Sequence, residues 1–184
     1  MKKKIPRPGV LWITGLSGAG KTTTGDLVFK ELNKEFTKIK RLDGDLLRKK
    51  LKLNRNKKTF TAAHRKKNGA TYSKICKHYE SKGYFVIISV MALYNEVYKK
   101  NKKIFKNYIG VYLKVPIKEL IRRDPKKLYK KFFQKKIKNI AGLDLKFDEP
   151  KNCKINVKWS KKISSISIKN KIIKYLKLKK CIWE

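Results

Sequence analysis

The stretch Gly15-Leu16-Ser17-Gly18-Ala19-Gly20-Lys21-Thr22 constrains the fold of this chain more than any other. It follows Val10-Leu11-Trp12-Ile13-Thr14, a short apolar and β-prone run that reads as a buried strand. Beyond it Leu27, Val28 and Leu32 recur at helical spacing, and residues 22–34 read as a helix. Strand, G-x-x-x-x-G-K-[ST] and helix in that order predict a phosphate-binding loop, against the blander reading of a glycine-rich turn before a helix. The glycines let backbone N–H groups curl around an anion, and the helix N-terminus adds partial positive charge. Gly15, Ser17, Gly18, Ala19, Gly20, Lys21, Thr22 and Thr23 are therefore the candidate nucleotide-binding residues. Lys21 is expected to reach the β- and γ-phosphates of a nucleoside triphosphate, and the Thr22 hydroxyl to ligate Mg²⁺.

The remainder alternates between strand and helix patterns. Strands are expected at residues 38–42, 84–90, 108–115 and 154–157, and helices at 61–82, 95–105, 117–123 and 166–178. A short helix and loop are expected within 49–58. Crossovers of helical length between apolar strands predict an α/β fold with a parallel sheet flanked by helices on both faces. With no repeats and no separating linker, residues 1–184 are expected to form one domain. Residues 126–150, rich in charge and holding Gly142 and Pro150, show few core signals and read as a mobile lid over the phosphate site.

The second expected strand ends in Asp43-Gly44-Asp45. Carboxylates at the C-terminal end of a strand lie where open α/β sheets hold their ligands. Asp43 is also a good N-cap for the segment that follows, which leaves Asp45 to face the phosphates.

Fifty-one Lys and Arg against 13 Asp and Glu give a formal charge of +38, which invites a nucleic-acid reading. The excess is mostly Lys, spread along the chain with abundant Ile and Asn, three residues with A/T-rich codons, and no nucleic-acid motif accompanies it. Salt-sensitive nonspecific sticking is expected rather than specific nucleic-acid binding. Cys76, Cys153 and Cys181 have no C-x-x-C spacing and suit a reducing compartment. Pro6, Arg7 and Pro8 interrupt the start before any signal-peptide core, and no apolar run approaches membrane-spanning length. A cytoplasmic protein without membrane contact is expected.

Taken together the motifs resemble the adenylylsulfate kinase family, collinearly over residues 10–152. The family's G-L-S-G-A-G-K-T-T is matched at residues 15–23, and its D-G-D-N-x-R by Asp43-Gly44-Asp45-Leu46-Leu47-Arg48. Its F-S-x-x-D-R-x-x-N is matched by Phe60-Thr61-Ala62-Ala63-His64-Arg65-Lys66-Lys67-Asn68, and its R-D-P-K-G-L-Y by Arg123-Asp124-Pro125-Lys126-Lys127-Leu128-Tyr129. The lid motif I-K-x-F-T-G corresponds to Ile137-Lys138-Asn139-Ile140-Ala141-Gly142. The resemblance implies a P-loop kinase that moves the γ-phosphate of ATP, with Mg²⁺, to the ribose 3′-hydroxyl of adenosine 5′-phosphosulfate. It also implies roles. Lys21, Asp45 and Lys138 are catalytic, and Asp45, Arg48, Phe60, Arg65, Asn68, Lys138 and Ile140 meet the acceptor nucleotide. Homodimers occur in the family.

Departures from the pattern cluster on the acceptor side. Ala92-Leu93-Tyr94-Asn95-Glu96 stands where the family has I-S-P-[YHF]-R, which sets Glu96 against an Arg near an anionic ligand. Ile140 replaces the lid aromatic that would sandwich an adenine with Phe60, and Lys131-Phe132-Phe133-Gln134-Lys135-Lys136 replaces K-A-R-A-G-E. A branch of the family in bacterial capsule synthesis, acting on cytidine 5′-diphosphoramidate, resembles this chain in those features. A pyrimidine presents less ring to stack than adenine. Adenylylsulfate stands first as acceptor on the weight of the family and cytidine diphosphoramidate close behind, beside a third reading of a nucleotide- or nucleic-acid-binding protein without catalysis.

Overall fold

Strand β1 (Gly9–Thr14) has all six residues buried, as an apolar run in the middle of a parallel sheet requires. The computed structural model describes residues 3–53 and 61–183. Around β1, strands β2 (Ile39–Asp43), β3 (Phe85–Val90), β4 (Tyr108–Lys114) and β5 (Ile155–Lys158) complete a parallel sheet in the order β2-β3-β1-β4-β5. Trp12 lies in register with Ile88 on one side and Gly110 on the other.

Alternation along the strands divides the core into two layers. Leu11 and Ile13 of β1 join Ile87 and Val111 beneath helices α1 (Lys21–Glu35) and α7 (Ser165–Leu178), which contribute Val28, Leu32, Ile172 and Leu176. Val10 and Trp12 point the other way, with Val86 and Ile88. Tyr72 and Cys76 of α3 (Ala62–Ser81) and Val97 of α4 (Asn95–Ile104) cover them. Each fully buried Leu, Ile or Val contributes about 1.5–3 kcal/mol, so the two layers supply most of the driving force. The expected parallel sheet with helices on both faces is what the chain builds.

Helix α2 (Gly44–Lys50) begins directly after β2, as the Asp43 cap anticipates, and residues 54–58 of the segment expected to hold a short helix and loop lie outside the described residues. The Asp43 carboxylate accepts from the Asp45 and Leu46 amides at 2.9 and 3.4 Å, and this cap starts the helix at once. Residues 126–150 also contribute side chains to the core. Helix α5 (Ile117–Arg123) turns through Asp124-Pro125 into the short helix α6 (Leu128–Phe133), whose Tyr129 is 1% exposed, while Ile140 and Ala141 are 5% exposed. These anchors are isolated among lysines, and six residues of helix are too few to display a period. Among the described residues no helix is long and apolar enough to cross a membrane.

Candidate active site

The chain leaves β1 through the glycine-rich loop, crosses to one face as α1 and returns as β2, whereas β3 leads to α4 on the opposite face. This divergence opens a crevice beyond the C-terminal ends of β1 and β3, where doubly wound sheets bind ligands. A cavity of about 620 Å³ occupies it.

Glycine is needed at two loop positions for different reasons. A side chain at Gly15 would place its Cβ 2.7 Å from the Leu113 carbonyl, so the loop and β4 approach too closely for one. Gly20 has φ 87° and caps α1 in the left-handed region that favours glycine. Among the described residues no side chain caps that helix start, which leaves its amides available to an anion. Ser17, Gly18, Gly20, Lys21, Thr22 and Thr23 line the cavity, while Ala19 is buried beneath the loop and its amide bonds the Leu16 carbonyl at 3.2 Å.

Lys21 folds back over the loop, its Nζ donating to the Leu16 carbonyl at 2.8 Å. Burial, reinforced by the Lys126 ammonium and opposed by Asp43, pulls the Lys21 ammonium down to about 7. A polyphosphate in the loop would reverse that balance by supplying the missing counter-charge. Beside it the Thr22 hydroxyl donates to Asp43 Oδ2 at 2.8 Å. Asp43 thus serves both as helix cap and as partner of Thr22, and the sequence reading credited it only with the first. A hydroxyl paired with a carboxylate is a hard-oxygen donor set that fits Mg²⁺ carried largely by nucleotide phosphates and water. Among the described residues there is no cluster of three or more His, Cys, Asp or Glu that could hold a metal ion.

In the same cavity Asp45 forms ion pairs with Arg48 and Lys126. Lys126, beside the α5–α6 turn, lies in the motif matched above but was assigned no role from sequence; burial lowers its ammonium as well. Arg65 is buried, with Nη2 donating to the Asn139 carbonyl at 2.9 Å and Nη1 set 3.7 Å from Met91 Sδ. The loop that presents Asn139 is pinned by Asp144, whose oxygens accept from the Asn139 and Ile140 amides at 2.7 and 2.6 Å. Asn68, Tyr72 and Ile140 complete that wall, the Tyr72 hydroxyl donating to the Gly44 carbonyl at 3.1 Å.

Of the residues singled out from sequence, Lys21, Thr22, Asp45, Arg48, Arg65, Asn68 and Ile140 converge on this one cavity. Lys138 is exposed and does not line it. Phe60 lies outside the described residues. Glu96 points away, with its side chain 71% exposed and bonded to Lys66 Nζ at 2.6 Å. Helix α4 buries Val97, Tyr98 and Asn101, and Glu96 falls outside that face.

The family model described as adenylylsulphate kinase matches residues 7–158. The cytidine diphosphoramidate kinase of Campylobacter jejuni is 36% identical over 143 residues, 78% of this chain and 82% of the relative. A probable adenylyl-sulfate kinase of Archaeoglobus fulgidus is 33% identical over 152 residues, covering 83% and 96% of the two chains. Among solved structures, the Mycobacterium tuberculosis APS kinase CysC in complex with AMPPNP and APS superposes with a TM-score of 0.83. It is 27% identical and covers 94% of this chain and 99% of that one.

Proposed function

Because the chain belongs to the adenylylsulphate kinase family, kinases that phosphorylate a hydroxyl group, we propose that it transfers the γ-phosphate of ATP to the ribose 3′-hydroxyl of an acceptor nucleotide. The observation that carries this reading is the arrangement of one cavity. Lys21 and the Thr22–Asp43 pair line it together with Asp45, Arg48, Arg65 and Asn68.

Phosphoryl transfer asks for positioning and charge neutralisation more than for covalent chemistry. Loop amides and Lys21 hold the β- and γ-phosphates. Thr22 and Asp43 would hold Mg²⁺, which when bound offsets charge on the transferring phosphoryl group. Asp45 orients the acceptor hydroxyl and takes its proton once Lys126 and Arg48 turn to the incoming anions. Arg48, Arg65 and Asn68 grip the acceptor's 5′ anionic group, the guanidinium fork suiting paired phosphate oxygens. Lys138, outside the cavity in this state, reaches the transferring charge when its segment closes.

Two acceptors fit this chemistry. Adenylylsulfate is supported by the structural relative solved with APS. Cytidine diphosphoramidate is favoured by Ile140, an aliphatic wall at 5% exposure where the family pattern has an aromatic, and by the 36% identity to a kinase named for that substrate. Ile140 gives the cytidine acceptor the stronger claim. A coupled assay with ATP and Mg²⁺ offered each acceptor compares kcat/KM, and ³¹P NMR locates the new phosphate. A preference above about tenfold, or 1.4 kcal/mol, for cytidine diphosphoramidate supports that choice; the reverse preference assigns adenylylsulfate. Transfer to neither refutes the proposed function.

A further inference from the structure

Position 41 of β2 faces α1, as does Ile39 two residues earlier, and an apolar side chain is what such a position calls for. Arginine stands there instead, with its side chain only 13% exposed. Each of its three guanidinium nitrogens makes a hydrogen bond. Nε donates to Asp26 Oδ1 at 2.9 Å, Nη2 donates to the Thr22 carbonyl at 3.2 Å, and Nη1 bonds the Leu42 carbonyl. Nη2 also lies 3.8 Å from Asp43 Oδ2, the oxygen that accepts the Thr22 hydroxyl. Helix α1 makes room with Gly25, where an added Cβ would fall 2.7 Å from Arg41 Cζ and 2.6 Å from Ser89 Oγ. A side chain at that point would push the guanidinium aside.

Arg41 therefore holds the main chain of Thr22 and lies within ion-pair distance of Asp43, the two residues whose side-chain oxygens suit a cation. It ties the first turn of α1 to the end of β2 by a planar fork that lysine has no means to reproduce. We propose that Arg41, braced by Asp26, is a positioning residue that fixes the Thr22–Asp43 pair and so sets how much Mg²⁺ strengthens nucleotide binding. Groups that orient ligating side chains commonly matter almost as much as the ligands themselves. This inference rests on the proposed use of a magnesium–nucleotide donor.

The test measures binding of a fluorescent ATP analogue to the full chain, with Mg²⁺ and with EDTA, for wild type, Arg41→Leu and Asp26→Asn. In wild type Mg²⁺ tightens binding. In Arg41→Leu that gain shrinks by about tenfold, while metal-free affinity stays within roughly twofold. Asp26→Asn, which changes a half-exposed brace, moves the gain in the same direction by a smaller factor, and covers the case in which Arg41→Leu fails to fold. An unchanged Mg²⁺ gain in a folded variant overturns the inference, as does an equal loss of affinity with and without metal. If wild type binds no nucleotide at all, the proposed function fails instead.

Discussion

The Tyr129 hydroxyl donates to the Ser17 carbonyl at 3.1 Å, joining the start of α6 to the phosphate loop across 112 residues of sequence. The ring beneath that hydroxyl is almost wholly buried, and Leu128 beside it lines the cavity. The charged segment after α5 is thus anchored to the loop that it borders. Tyr129→Phe keeps the ring and loses one neutral hydrogen bond, so it should cost about 1 kcal/mol in urea unfolding. Tyr129→Ala also opens a cavity and should cost about 3–5 kcal/mol. Equal costs for the two variants would show that the ring's packing is not what holds the segment.

Lys21 sets a pH dependence whose sign follows from its depressed ammonium at about 7 in the free site. Above that pH the side chain is mostly neutral, and a polyphosphate beside it restores the charged form. Nucleotide binding at pH 8 should therefore take up close to one proton. Affinity should fall as pH rises from about 7 to 9, by up to tenfold per pH unit at full coupling. Calorimetry in buffers of different ionisation enthalpy measures the uptake directly. Zero uptake in wild type contradicts the assignment, and Lys21→Met should abolish both the uptake and most of the affinity.

Asp45 separates chemistry from stability. Its pairs with Arg48 and Lys126 involve side chains 43%, 21% and 52% exposed, and exposed pairs of this kind contribute about 0–1 kcal/mol. Asp45→Asn should leave the unfolding midpoint nearly unchanged while lowering kcat by about 10²–10⁴-fold, the usual worth of a positioned general base. A kcat within threefold of wild type would remove Asp45 from the reaction.

Much of this architecture was legible because apolar runs and glycine spacing report directly on buried strands and tight loops. Helix α5 runs over Ile117–Arg123 as expected, and β1, β3 and β4 follow their apolar runs to within one residue. Less legible were features set by three-dimensional direction. Glu96 sits one position from buried Val97, and only the phase of α4 reveals that it turns to Lys66 on the surface. Asp43 reads as a cap in sequence because its second partner, Thr22, lies 21 residues away. Tyr129, Ile140 and Ala141 were hidden as core residues by the lysines around them.

Asp144 offers a way to perturb the acceptor end alone. Its two oxygens accept from the Asn139 and Ile140 amides, and the loop so fixed presents the Asn139 carbonyl to Arg65 and the Ile140 side chain to the cavity. Asn139 has φ 64°, a conformation that few side chains adopt without such local bonding. Bonds to a charged acceptor are worth about 1.5–3 kcal/mol, so losing this pair should weaken acceptor binding by roughly tenfold. Asp144 takes no part in the phosphate loop, so Asp144→Ala should raise the acceptor KM by that factor and leave the ATP KM within about twofold. Asp144→Asn retains one carbonyl oxygen as acceptor and should fall between Ala and wild type. Steady-state kinetics with each substrate varied in turn checks both variants; a parallel rise in the two KM values would mean that the loop supports the whole cavity rather than its acceptor end.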